Sequence, residues 1–137
     1  MAGVIKAVFL AAREDYEGGY LRSTRSLIQA DVFDSELEQA QELLDAGYKS
    51  PSAVVAGVVL ETSLRELCDQ NDIEHGKLDK MNAELAKIGV YKKLQQKQIT
   101  AIADIRNSAA HGKPEEFKEA DVQDMIRDIT HFVNEYL

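Results

Sequence analysis

The hexapeptide Arg106-Asn107-Ser108-Ala109-Ala110-His111 brings a permanent cation, an amide and a titratable imidazole together within one short stretch. A guanidinium binds phosphate oxygens bidentately, and an imidazole, which titrates near neutral pH, can accept or supply a proton. Gly112-Lys113-Pro114 follows directly, and a glycine with a proline close behind it is typical of the end of a helix. These residue types in this order predict a surface site that binds a phosphate and transfers protons.

The positions of Arg106 and His111 around a helix leave two interpretations open. Each helical residue advances by about 100°, which places Arg106 roughly 70° and His111 roughly 150° from the centre of the apolar face. His111 is therefore expected on the solvent side. It either serves a phosphate site together with Arg106 or is simply a cation that interacts favourably with the C-terminal end of the helix dipole. Asn107 shares a face with His111, either as part of the site or as an ordinary solvated partner.

The elements that must position this hexapeptide are predicted to be helices throughout. Apolar residues recur with the helical period, and no segment shows the alternation typical of a strand. Ser35 with Glu38 has the form of a capping box, Ser50-Pro51 that of a helix start, and Gly18-Gly19 that of a kink or break. The pattern predicts helices over about 3–33, 35–46, 51–71, 77–88, 90–110 and 118–136.

The predicted fold is therefore all-α, a helical bundle of about five to six helices with an up-and-down core. One domain is expected over residues 1–137, with 1–34 as an N-terminal helical extension and 35–137 as the core bundle. The helix over 51–71 is apolar almost all round in its first half, which is typical of a helix at the centre of a bundle. The stripes of the later helices are predicted to face inward; they are Leu78, Met81, Leu85 and Ile88, then Tyr91, Leu94, Ile102, Ile105 and Ala109, then Val122, Met125, Ile126, Ile129, Val133 and Tyr136.

Composition limits the class of protein. The chain has 137 residues, of which 45% are hydrophobic and 29% charged, and this balance is ordinary for a globular domain. It contains no apolar run approaching the ~20 residues that a membrane span needs, and its start lacks a signal-peptide pattern. The single cysteine suits a reducing compartment. A cytoplasmic protein with no membrane partner is therefore expected.

Charge is segregated along the chain. The formal net charge is −8, which opposes general binding to a phosphate polymer. Residues 77–113 nevertheless hold eight Lys or Arg against three Asp or Glu, a local net charge of +5, and they include the hexapeptide. This basic segment indicates either a surface for an anionic substrate or a set of solvated helix faces.

The sequence contains no motif typical of a metal or cofactor site. His75, His111, His131 and Cys68 lack the spacing of metal ligands, and the chain has no glycine-rich phosphate loop or dinucleotide fingerprint. Cys68 lies on an apolar stripe and is expected in the core. No metal and no cofactor are predicted.

Arg106-Asn107 with His111 shortly behind has the form of a known signature. The chain resembles the HEPN domains, a family of all-α bundles whose signature is Arg, four to six residues, then His, often with Asn directly after the Arg. The similarity covers residues 36–137 and includes Ala46-Gly47-Tyr48-Lys49-Ser50 and Val59-Leu60-Glu61-Thr62-Ser63-Leu64-Arg65-Glu66-Leu67. The chain is particularly similar to the DUF4145-like branch, which is often found in phage defence systems.

This resemblance implies a homodimer in which the motifs of both copies meet, and it implies a metal-independent endoribonuclease. In such an enzyme the ribose 2′-hydroxyl attacks the neighbouring phosphorus, an imidazole transfers protons, and a guanidinium neutralises the developing charge. The catalytic residues would be Arg106, Asn107 and His111. The further candidates for contact with an RNA substrate are Lys113, Lys97 and Glu61.

The partner of Glu61 and the biological subtype stay open. Glu61 can pair with Arg106, as an acid on the buried helix can in this family, or equally with Arg65.

Some toxin-type relatives carry a tyrosine two positions after the histidine, where this chain has Lys113, so the toxin subtype regulated by nucleotide modification is not implied. Three hypotheses follow: an endoribonuclease of defence or toxin–antitoxin biology with a cognate protein partner or antidote, a non-catalytic HEPN module that binds a protein or a nucleotide, and a dimerisation appendage of a larger protein.

Overall fold

The computed structural model describes residue 24 and residues 26–137. The chain divides into two compact units, Met1–Asp34 and Ser35–Leu137. In the first unit residues 26–34 are helical, whereas most of the helix predicted over 3–33, including the break at Gly18-Gly19, lies outside the described residues. All the features discussed below belong to the second unit.

The second unit is built from five α-helices and one short 3-10 turn. Helix α1 contributes residues 35–45 to this unit, and the others are α2 Lys49–Gln70, α3 Leu78–Lys87, α4 Lys93–Ala110 and α5 Glu119–Tyr136, with the 3-10 turn at Pro114–Glu116. No strand occurs in the part of the chain that the structure describes. The all-α prediction is confirmed. The helix start predicted at Ser35 is wrong, because residues before and after it are helical, and a serine with a glutamate three residues on also fits a helix interior.

Helix α2 is the centre of this unit, because α3, α4 and α5 all pack against it. Its buried apolar positions include Ala53, Leu60, Leu64 and Cys68, of which Cys68 was predicted to lie in the core, whereas Val58 in its apolar first half is exposed. Burial of so many apolar side chains on one element supplies most of the stabilisation of a small bundle. The helix begins at Lys49, so Pro51 lies in its first turn, where proline removes no helical hydrogen bond.

The region between α3 and α4 differs from its prediction. Tyr91 is buried as expected, but it precedes α4 instead of lying on it. Leu94 and Ile88, both predicted to face inward, are 81% and 54% exposed. Leu94 lies about 80° around the helix from the buried Ile102, so it leaves the packed face, and Ile99 takes the inward position.

A polar cluster around the buried Asn82 joins α3 to α4 and to the segment between them. The side-chain nitrogen of Asn82 donates to the backbone oxygen of Gln96 at 3.0 Å and to Thr100 Oγ1 at 3.2 Å, and Tyr91 Oη donates to Asn82 Oδ1 at 2.6 Å. Burial raises the pKa of the Tyr91 hydroxyl well above its ordinary value, so the hydroxyl remains a donor. Because buried polar groups are costly when unpaired, this cluster fixes one arrangement of the two helices.

Helix α5 closes the bundle with a regular apolar face. Five of its six predicted inward residues are buried, and Tyr136 is half-buried. Phe132, which the prediction omitted, forms an aromatic cluster with Tyr91 and Tyr136, with ring centroids 4.9–5.9 Å apart. Within residues 24 and 26–137, no helix is both long enough and apolar enough to cross a bilayer.

Replacing Asn82 by alanine is expected to lower the free energy of unfolding by about 1–2 kcal/mol, because it removes three hydrogen bonds and leaves the buried Tyr91 hydroxyl only its longer contact, 3.3 Å, with the backbone oxygen of residue 82. Urea unfolding followed by circular dichroism measures this change. Gln95→Ala, which removes an exposed hydrogen bond to Gln98, is the matched control and is expected to change stability by less than about 0.5 kcal/mol. Equal stability of the two variants would contradict a structural role for the cluster.

Candidate active site

The end of α4 fixes the backbone of His111. The helix ends at Ala110, and the backbone N–H of Lys113 donates to the Ser108 oxygen at 2.9 Å while that of Gly112 donates to the Ala109 oxygen at 3.3 Å. This pair of hydrogen bonds is a Schellman motif, which requires a left-handed residue just beyond the helix. Gly112 supplies it with a φ of +70°. His111 therefore lies at a defined helix terminus, as the sequence predicted.

Arg106 lies across α2 and is held at both ends of its side chain. A Cβ on Gly57 would lie only 2.3 Å from Arg106 Cγ, so the arginine stem occupies the space that a larger residue at this position would need. At the other end Arg106 Nη2 donates to Glu61 Oε2 at 3.1 Å. Gly57 and Glu61 are one turn apart on α2, so a single face of the central helix determines where the guanidinium lies.

Glu61 pairs with both of the arginines that the sequence offered as partners. Its Oε2 accepts from Arg106, and its Oε1 accepts from Arg65 Nη2 at 3.1 Å. Arg106 Nη1 also lies 3.4 Å from Asn107 Oδ1. A guanidinium carries five N–H donors, so these two contacts leave donors on Arg106 for a further acceptor.

The imidazole of His111 is exposed and makes no hydrogen bond or ion pair with any residue that the structure describes. It lines a shallow depression of about 480 Å³, the His111 depression, together with Asn107, Lys113 and Glu116. Glu116 accepts a 2.6 Å hydrogen bond from Ser108 Oγ, and Lys113 Nζ lies 4.0 Å from its other carboxylate oxygen. The imidazole can therefore meet a molecule that enters this depression without first breaking a contact.

A second, more enclosed cavity of about 520 Å³ lies on the other side of Asn107. This Arg106 cavity is lined by Arg106 and Glu61, and it shares Asp104 and Asn107 with the His111 depression. The two cavities thus bring together five of the six predicted site residues. Lys97 is not among them, since it lines a separate depression with Leu94 and Tyr136 and lies about 20 Å before His111 along the helix.

The charge around the site is close to balanced. Lys77, Arg106 and Lys113 line the two cavities, but so do four carboxylates, those of Glu61, Asp79, Asp104 and Glu116. Lys92 and Lys97 of the basic segment lie instead at the separate depression. The local net charge of +5 in the sequence therefore does not become a strongly positive cavity in the fold.

Lys49 contacts the segment that follows His111, and the sequence did not indicate this contact. Its Nζ donates to the backbone oxygens of Pro114 and Phe117 at 2.7 and 2.6 Å and lies 4.7 Å from the centre of the Phe117 ring. Phe117 is buried. The first residue of α2 therefore anchors the segment that follows His111. The sequence could not predict this contact, because Lys49 and Phe117 are far apart in the chain and any residue type provides a backbone acceptor.

Neither a metal cluster nor a reactive thiol is found at the site. Within the described residues no group of three His, Cys, Asp or Glu side chains is arranged to hold a metal ion. Cys68 is buried, as predicted, and desolvation raises the pKa of its thiol, which disfavours the nucleophilic thiolate.

No protein-family model, no curated protein and no solved structure matches this chain. The resemblance to the HEPN family therefore rests on the sequence motifs and remains a prediction. What the site can do must be argued from its side chains.

Substitution of Gly57 by alanine should have a different cost in two backgrounds. In the wild-type chain the new methyl group meets the Arg106 stem, and the free energy of unfolding is expected to fall by about 1–3 kcal/mol. In an Arg106→Ala background the Cγ is gone and only the Cβ of residue 106 remains, 3.1 Å from the new methyl group. The higher helix propensity of alanine then offsets this tight contact, and the change in stability is expected to be within about 0.5 kcal/mol of zero. A double-mutant cycle measured by urea unfolding tests this coupling.

The matched control for the double-mutant cycle replaces an arginine that does not pack on α2. Combining Gly57→Ala with Arg127→Ala, which lies exposed on α5, should give additive changes within about 0.5 kcal/mol. If Gly57→Ala were as destabilising in the Arg106→Ala background as in the wild type, some atom other than the Arg106 stem would restrict this position.

Proposed function

We propose that this protein is a metal-independent endoribonuclease of HEPN type that acts as a homodimer in defence or toxin-like biology. The observation that carries the proposal is the arrangement around Asn107. On one side Arg106 is fixed by Glu61 and Gly57, and on the other His111 presents an unpaired imidazole. A preorganised cation and a free acid–base group, here in the linings of two adjoining cavities, are the groups that phosphodiester cleavage without a metal requires.

The chemistry follows from the two side chains. A neutral imidazole removes the proton of the ribose 2′-hydroxyl, whose oxygen bonds to the adjacent phosphorus and forms a 2′,3′-cyclic phosphate. The bond from phosphorus to the 5′-oxygen breaks, and an imidazolium protonates that leaving oxygen. The donors of Arg106 that Glu61 and Asn107 leave free bind the non-bridging oxygens, where negative charge increases in the transition state.

Dimerisation would be part of this mechanism. The reaction uses one proton acceptor and one proton donor, and each chain contributes a single motif histidine. Two copies that place their α4 termini together would supply both. The exposed imidazole supports this, since His111 is accessible from outside the chain.

A non-catalytic binding module is the second candidate, and the balanced charge of the site favours it. Four carboxylates line the two cavities, and Glu61 already neutralises Arg106. A phosphate polymer gains less from such a surface than from a basic one. A cognate protein or a single nucleotide is the type of partner that this alternative would have.

Incubation of the protein with a mixed RNA pool in EDTA tests the enzymatic proposal. The wild type is expected to generate fragments that end in 2′,3′-cyclic phosphates, detected by sequencing after end-specific ligation. Arg106→Ala and His111→Ala are each expected to lower the cleavage rate by about 10²-fold or more, because each removes a group that acts on the reacting atoms.

Two residues of α5 provide matched controls for these variants. Arg127→Ala and His131→Ala remove the same side chains from exposed positions outside both cavities, and they should retain the wild-type rate. Cleavage that survives both motif substitutions would refute the assignment of the site. Failure of the wild type to cleave any RNA would favour the binding module.

A cysteine introduced at His111 tests the dimer separately from catalysis. The only native cysteine, Cys68, is buried, so His111→Cys carries a single accessible thiol. If two α4 termini meet, mild oxidation is expected to produce a disulfide-linked dimer on non-reducing gels within minutes. His131→Cys is the control, and equally rapid cross-linking at both positions would indicate random collision instead of a defined interface.

A further inference from the structure

The part of the Arg106 cavity formed by Leu78, Ala103 and the neighbouring charged residues suits a flat heterocycle better than a phosphate. Leu78 and Ala103 are half-buried apolar residues of this cavity, whereas Lys77, Asp79 and Asp104 are exposed polar ones. A nucleobase has apolar faces and polar edges, so it can place its ring against the first group and its edge against the second. A phosphate in contact with Asp79 and Asp104 would be repelled by their carboxylates, so within this cavity the place for a phosphate is at Arg106, which lies beside Asn107.

The charged groups at the edge of this cavity are available to a ligand. The side chains of Asp104 and Lys77 make no hydrogen bond or ion pair with other residues of the described chain, and Asp79 uses one carboxylate oxygen to accept the backbone N–H of Lys80. Besides the Arg106–Glu61 pair, the cavity therefore offers two carboxylate acceptors and one ammonium donor. Guanine presents the complementary set, with two adjacent N–H donors, N1–H and N2–H₂, on its Watson–Crick edge and the acceptors O6 and N7 beside them.

The shared wall of the two cavities places such a base next to the reacting phosphate. Asp104 and Asn107 lie one turn apart on α4 and line both the Arg106 cavity and the His111 depression. A nucleotide whose base contacts Asp79 and Asp104 would place its phosphate near Arg106 and Asn107, where the Arg106 cavity meets the His111 depression. The base and the imidazole would then contact the same ligand from neighbouring spaces.

We propose that the Arg106 cavity is a subsite for a guanine base of the RNA, with the Asp104 carboxylate accepting hydrogen bonds from N1–H and N2–H₂ and the Lys77 ammonium donating to O6. This inference rests on the proposed function, since it names the base that the same site selects. Asp79 is the second acceptor at this edge. The carboxylates that weaken general binding to phosphate thus provide base selection.

Binding of an uncleavable oligonucleotide tests the subsite independently of catalysis. The probe is a fluorescein-labelled short oligouridylate with 2′-fluoro sugars and one central guanine, and the partners for comparison carry inosine or adenine at that position. Inosine lacks only the 2-amino group. Fluorescence anisotropy with the full wild-type chain is expected to show a Kd about tenfold lower for guanine than for inosine or adenine, because one charge-assisted hydrogen bond is lost without the amino group.

Variants then assign the preference to the carboxylate. Asp104→Asn is expected to remove most of the difference in Kd between the guanine and inosine probes. Asp124→Asn, an equal change of charge at an exposed position of α5, should leave that difference intact. Equal binding of the three probes, binding of none, or a preference that persists in both Asp104→Asn and Asp79→Asn would each overturn the subsite.

The two proposals fail in different ways. Guanine-selective binding by a protein that leaves unmodified RNA intact would refute the ribonuclease and preserve the subsite. Cleavage of RNA without any dependence on guanine would preserve the ribonuclease and refute the subsite.

Discussion

The close approach of α4 to α2 at Gly57 is the constraint on which the rest of the site depends. Only a residue without a side chain leaves room there for the stem of Arg106, and the acid one turn later, Glu61, receives its guanidinium. The contact sets the rotation of α4 about its own axis. That rotation places Asn107 between two cavities and leaves His111 at the surface. A cation that would otherwise be a mobile surface group thereby becomes a preorganised one.

Periodicity predicted the helical class and the burial of α2 because both depend on local sequence and on how apolar residues are distributed. It failed at Leu94 because an apolar stripe does not reveal which part of a helix has a neighbour. The capping-box pattern failed at Ser35 because a serine with a glutamate three residues on also fits a helix interior. The Arg106–Glu61 pair was one of two pairings that the sequence left open, and the structure shows that Glu61 makes both. The sequence alone could not assign a role to Gly57, because a glycine within a helix is recognised there only as a residue with low helix propensity.

Sequence also overstated the electrostatic contrast of the site. Counting along the chain adds together lysines that the fold separates, as at Lys97, and omits acids that it brings in from elsewhere, as at Glu61 and Glu116. The result is a site with few unopposed positive charges. Such a surface binds polyanions weakly in general, and its selectivity must come from hydrogen bonds of defined geometry.

The anchoring of Pro114 and Phe117 by Lys49 has a consequence for motion. The turn beyond His111 is fastened to α2 through two carbonyl oxygens and to α4 through the Schellman hydrogen bonds. It cannot hinge away as a loop without opening the core around Phe117. The freedom left to the imidazole is rotation about its own side-chain torsions, so little backbone entropy would be lost when a ligand orders it.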